Sequence, residues 1–153
     1  MRSRLKSGFS ILELLLVLAI IGILGAVAIY ALSVSRATTR DAKRVSDISV
    51  MHSGLTQYWL QKASYPVSDP IDLGKTGSNA VGLTTNGFTG ADGGGVVILQ
   101  RIPVGPRANE FYRYKGTANG YSLRFTTERE TAFGPGGTYY AHASGVDQQD
   151  VEK

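Results

Sequence analysis

Gly8-Phe9-Ser10-Ile11-Leu12-Glu13 decides the fold, because its one carboxylate stands at the mouth of a long uncharged run. From Leu14 to Leu32 nineteen residues carry no charge. At about 1.5 Å per helical residue they reach roughly 28 Å, close to the hydrocarbon thickness of a bilayer. Residues 9–33 therefore read as a membrane-spanning helix. An ionised side chain in that setting costs about 2.5–3.5 kcal/mol on insertion scales, so Glu13 needs a partner charge or a place at the membrane surface. The second option makes it an interfacial Glu on an ordinary signal anchor. That accounts for the carboxylate but not for its neighbours.

Upstream, Arg2, Arg4 and Lys6 form a basic stretch like the n-region of an export signal. A secretory signal is cut after its apolar core, whereas here the small residue at the boundary, Gly8, precedes it. Cleavage at Gly8 leaves the hydrophobic helix in the mature chain. A basic leader at 1–8, then Gly8, Phe9, Glu13 at the fifth mature position and a long apolar run resemble the class III signal of type IV prepilins and pseudopilins. The resemblance implies that prepilin peptidase cuts between Gly8 and Phe9 and methylates the new amine of Phe9. It implies that Glu13 meets the Phe9 amine of a neighbouring subunit in a homo-oligomeric filament, raised by an assembly ATPase and an inner-membrane platform. The chain would be a single-pass inner-membrane protein before assembly. Afterwards it would stand in an extracellular pilus or a pseudopilus of the periplasm and cell envelope.

Composition sets further limits. The chain carries 16 basic and 12 acidic residues, and without Arg2, Arg4 and Lys6 the balance falls to 13 against 12. Its basic character is thus no argument for nucleic acid. With no cysteine there is no disulfide framework and no thiolate metal site. The length behind the span suffices for one modest core, so one soluble domain is expected.

Beyond Leu32 the helix continues. Val34, Ala37, Val45, Ile48, Leu55 and Trp59 recur at spacings compatible with one face, while Arg40, Lys43, Arg44 and Asp47 fall largely elsewhere. These charges read either as a solvated face or as salt bridges between filament subunits. Gly54 costs the helix about 1 kcal/mol relative to Ala, and Tyr65-Pro66 ends it. A helix from Phe9 to Lys62 runs roughly 80 Å, more than a membrane needs. Residues 34–65 are therefore expected to be amphipathic and to lie against a globular head. Tyr30 stands where many pilins carry a helix-breaking proline. Gly22 and Gly25 remain as points of local melting or, with Ala26 four residues after Gly22, of close helix packing.

Residues 66–95 are rich in Gly, Ser, Thr and Asn and read as a long αβ loop. Gly74-Lys75-Thr76 is similar to the end of a phosphate-binding loop, but Asp69 occupies the place of the first glycine and no buried strand precedes it. Residues 96–143 read as antiparallel sheet. Val96–Ile102 is apolar, 110–115 and 121–128 flank the turn-rich Gly116–Gly120 as a hairpin, and 138–143 adds a further strand. Residues 144–153 are expected to be a flexible tail. The expected fold class is α+β and pilin-like: a long N-terminal helix packed against a small antiparallel sheet of three to four strands.

A second resemblance lies in Arg101-Ile102-Pro103-Val104-Gly105-Pro106 followed by Phe111-Tyr112-Arg113-Tyr114, a run similar to one in major pseudopilins of type II secretion. Gly105 departs from the Asp of that pattern. The resemblance implies calcium held near the C-terminus, for which Asp147, Asp150 and Glu152 are the available carboxylates, without the spacing of a defined oxygen cage. No other cofactor is expected. Two further function classes remain. A membrane-anchored enzyme would need His52 or His142, and neither lies in a nucleophile or metal motif. A minor or tip subunit binding DNA or a surface would use Tyr112, Tyr114, Tyr139 and Tyr140 with Arg107, Arg113 and Lys115 as a stacking and phosphate patch. Core packing across strands is the alternative role for those tyrosines.

Overall fold

The computed structural model describes residues 9–90 and 93–153. Leader 1–8, with the expected cleavage residue Gly8, lies outside them. Two compact units are present, one ending at Arg36 and the other comprising Ala37–Lys153. A single helix, α1 (Ile11–Lys62), contributes to both.

In the first unit Ser10 caps the helix. Its hydroxyl accepts the Leu12 N–H at 3.3 Å and its carbonyl accepts the Leu14 N–H at 3.1 Å, which satisfies donors left open at a helix start. Every residue from Phe9 to Ser33 is exposed. This apolar segment is long enough to cross a membrane.

In the second unit the helix buries one stripe, Asp41, Arg44, Ile48, Met51, Leu55 and Tyr58, at alternating spacings of three and four. The inward face is thus rotated from the expected one, and Trp59 is 45% exposed. The charges read as a solvated face are partly interior instead. At its end Ala63 adopts the left-handed conformation (φ 52°) and donates its N–H to the Trp59 carbonyl at 2.7 Å, a C-terminal cap just ahead of Tyr65-Pro66.

Eight strands follow: β1 (Ser68–Leu73), β2 (Gly82–Thr84), β3 (Gly87–Thr89), β4 (Val97–Leu99), β5 (Tyr112–Gly116), β6 (Tyr121–Thr126), β7 (Thr138–His142) and β8 (Gly145–Asp147). They form two antiparallel sheets, ordered β1-β5-β6-β7-β8 and β3-β2-β4. The fold is α+β as expected, but the strand count of three to four is corrected. The main sheet gains β1 from the stretch read as a loop and β8 from the stretch read as a tail, while Val97–Leu99 joins the small sheet. Pro70 sits in β1 because that strand is an edge, where a missing N–H is tolerated, and its pairing with β5 is irregular between Ser68 and Ile71.

One core joins Ile48, Met51 and Leu55 of the helix to Tyr112, Tyr114, Leu123, Phe125 and Ala141 of the sheet. Gly54 has a packing role beyond weakening the helix. A Cβ there would lie 2.5 Å from Leu99 Cδ1, so the missing side chain lets β4 approach. The C-terminal segment is also anchored. Asp150 accepts from the Ser122 hydroxyl at 2.8 Å and the Lys153 carbonyl accepts the Ala143 N–H at 3.2 Å. Ser122, which alternates along β6 with the core residues Tyr121 and Leu123, is itself 1% exposed.

Candidate functional site

Phe9, Ser10 and Glu13 stand together at the start of α1. Phe9 is 78% exposed, and Glu13 lies in the first helical turn with no ion pair among the described residues. A carboxylate there is favourable to the positive end of the helix dipole. Ser10 and Glu13 also have the Ser-x-x-Glu spacing of a capping box, a signal that the sequence carries beside the charge pattern. Local helix chemistry thus offers Glu13 a second role beside that of a partner charge.

The largest concentration of charge lies in the second unit and is not foreseen from the sequence. Arg44, 2% exposed, presents both sides of its guanidinium to carboxylates. Its Nε and Nη2 donate to Glu110 at 2.6 and 3.0 Å, and Nη1 donates to Asp41 at 2.7 Å and to Glu128 at 2.8 Å. Asp41 also accepts the N–H groups of Glu128 and Arg129 at 2.9 and 2.8 Å. Glu128 takes further bonds from Arg40 at 2.7 Å and Arg107 at 2.6 Å. The Arg40 hydrogen bond, followed by that of Arg44, holds the Glu128 carboxyl down at about 2. Beside this cluster Asp47 accepts from Lys43 and from the buried Tyr112 hydroxyl at 2.8 Å. The network ties the helix to the turn before β5 and the segment after β6. Its partners are up to 88 residues apart, which is why helix periodicity alone does not place them.

The remaining candidates are rearranged. Asp147 is engaged by Lys153 at 2.7 Å, the Gln149 N–H at 2.8 Å and His142 Nε2 at 3.1 Å. Its carboxyl is held at about 2, chiefly by Lys153. Asp150 answers Ser122 and Lys115, and Glu152 lies 3.4 Å from Lys115. These carboxylates face cations and hydroxyls, and among the described residues no group of three His, Cys, Asp or Glu side chains is placed to hold a metal. Tyr112, Tyr114 and Tyr139 are 1%, 0% and 2% exposed, so they cannot form the expected stacking patch. Both histidines contact Tyr121, His52 at its hydroxyl and His142 at its carbonyl.

The family model for the prokaryotic N-terminal methylation motif matches residues 3–29. The type IV major pilin protein PilE1 of Neisseria gonorrhoeae is 30% identical over 89 residues, 58% of this chain and 42% of that protein. The type II secretion system core protein G of Aeromonas hydrophila is 33% identical over 69 residues, 45% of this chain and 48% of that protein. The matches therefore span somewhat less than half the length of these relatives. No solved structure matches the chain. This chain therefore carries the prokaryotic N-terminal methylation motif and, over part of its length, is similar to a type IV major pilin and to a type II secretion system core protein.

Proposed function

We propose that this chain is the structural subunit of a helical type IV pilus or pseudopilus filament, polymerised from the membrane through its apolar N-terminal helix. The observation that carries the reading is the segment from Phe9 to Ser33, exposed at every residue and charged only at Glu13. So much apolar surface demands cover, first from lipid and then from the same segment of other copies. Cleavage after Gly8 would create a cationic amine at Phe9. That amine is the natural counter-charge for Glu13 of a neighbour, because a charge kept in an apolar bundle must be paired. Prepilin peptidase would supply the amine, and a cytoplasmic ATPase with an inner-membrane platform would drive assembly.

The role is structural rather than catalytic. His52 and His142 are taken up by Tyr121 and Asp147 in hydrogen bonds that fix the head. Mass spectrometry of the sheared filament fraction tests the reading. The expected product begins at methylated Phe9, and replacing Gly8 by a bulky or charged residue leaves the leader attached. Filaments whose subunits retain Met1 would overturn it.

A further inference from the structure

A cleft of the head, about 510 Å³, lies between β1 and β3. Its volume is within the range of small-ligand sites. Tyr58 lines it, nine-tenths buried, with a hydroxyl that makes no hydrogen bond among the described residues. No described side-chain polar atom is both buried and unpaired, so that hydroxyl is not sealed in the core. Phe88 lines it too, half-buried and fixed edge-on against Tyr114 at 4.7 Å. Around these rings stand the amides of Asn79 and Asn86 and the ammonium of Lys75, none with a side-chain partner among the described residues. Asp72 completes the wall and has only a long 3.6 Å contact with Arg113.

The chemistry of this wall is selective. Two amides supply donors and acceptors alike, Tyr58 supplies a hydroxyl, and Lys75 with Asp72 adds one charge of each sign. Such a set suits a neutral molecule dense in hydroxyls. The aromatic floor suits a flat face of C–H groups, which the negative face of a ring attracts. An extended peptide, added as a strand to either sheet edge, fits less well. Pro70 removes a donor from β1, whose pairing is irregular at that point, and β3 is only three residues long. We propose that this cleft binds a neutral pyranose sugar, with Phe88 against the ring face and Tyr58, Asn79, Asn86 and Asp72 on its hydroxyls.

Full-length protein in phosphocholine micelles, labelled with nitrogen-15, is titrated with glucose, galactose, mannose and N-acetylglucosamine. Glucitol serves as an open-chain polyol control and tetraglycine as a strand mimic. At least one pyranose should give saturable shifts of the Asn79 and Asn86 side-chain amides, with glucitol inert. Asn86→Ala, at an exposed position, should weaken that response roughly tenfold for one lost polar contact while leaving the β5 and β6 amide signals in place. Phe88→Ala should abolish it. The proposal is overturned if none of the four sugars saturates, if glucitol matches them, if Asn86→Ala responds as wild type, or if tetraglycine alone perturbs the cleft.

Discussion

Arg44→Met should be the most damaging single change in the head. Wild-type Arg44 is 2% exposed and makes four hydrogen bonds to three carboxylates. Methionine keeps the helix and most of the side-chain volume but removes the only cation that reaches Asp41 and Glu110 in the described network. Glu128 retains Arg40 and Arg107, Asp41 retains two backbone donors and Glu110 only the Arg107 N–H at 3.2 Å, so the uncompensated charge falls mainly on Glu110. Breaking a buried pair by deleting one partner costs about 3–5 kcal/mol, against about 5–15 kcal/mol for a whole domain. The melting temperature should fall by roughly 10–20 °C. Urea unfolding followed by circular dichroism, on full-length protein in micelles, measures the loss. Adding Glu110→Gln to Arg44→Met should recover part of it, because the stranded charge is then removed. Salt should change little, since the Arg44 side of the pair is shielded from solvent. If Arg44→Met stays within about 0.5 kcal/mol of wild type, as ordinary surface substitutions do, the inward-facing network is wrong.

Tyr114→Phe deletes the buried hydroxyl that donates to the Pro66 carbonyl at 2.7 Å; it should cost about 1–2 kcal/mol in the same unfolding assay by leaving that carbonyl unpaired. Acid should destabilise the head in a defined window. Glu128 and Asp147 are both held at about 2 in the folded state, against ordinary values of 4.5 and 3.8. Their contribution is complete above about pH 4.5 and is lost as pH falls towards 2, so a urea midpoint flat across that range contradicts the pairing. A fragment from Val34 to Lys153 should be soluble and monomeric by sedimentation, because the exposed apolar segment is gone; a requirement for detergent would refute this.

The legible parts of the chain are those whose signals are local. The apolar run fixes the stem, Gly116–Gly120 places the β5–β6 hairpin, and Tyr65-Pro66 marks the end of α1. What stays hidden depends on distant partners. Asp69, Pro70 and Asp72 make β1 read as a turn, and only its place at a sheet edge reconciles Pro70 with a strand. The strands β2 and β3 are three residues each, too short for alternation to register. Asp41 and Arg44 share the spacing of Ile48, Met51 and Leu55, so the stripe itself announces their burial. Their charge conceals it, since the balancing Glu110 and Glu128 lie far along the chain. Of the candidate site, Phe9 and Glu13 come from the charge pattern, whereas the Ser10 cap and the Ser-x-x-Glu spacing offer the same carboxylate a place in the first turn of the helix.

That double role makes the pair Glu13→Gln and Glu13→Val the sharpest test of the assembly reading. Glutamine keeps a side chain able to complete the cap while losing the charge, and valine loses both. In a strain with no other pilin, membrane-bound protein, the processed fraction and the sheared filament fraction are measured together for each variant. An unpaired Phe9 amine in an apolar bundle predicts that both variants insert and are processed, yet enter filaments at least about tenfold less than wild type. If Glu13→Gln assembles as well as wild type while Glu13→Val does not, the carboxylate is a helix cap and not the registering charge, and assembly through a Glu13–Phe9 charge pair is contradicted.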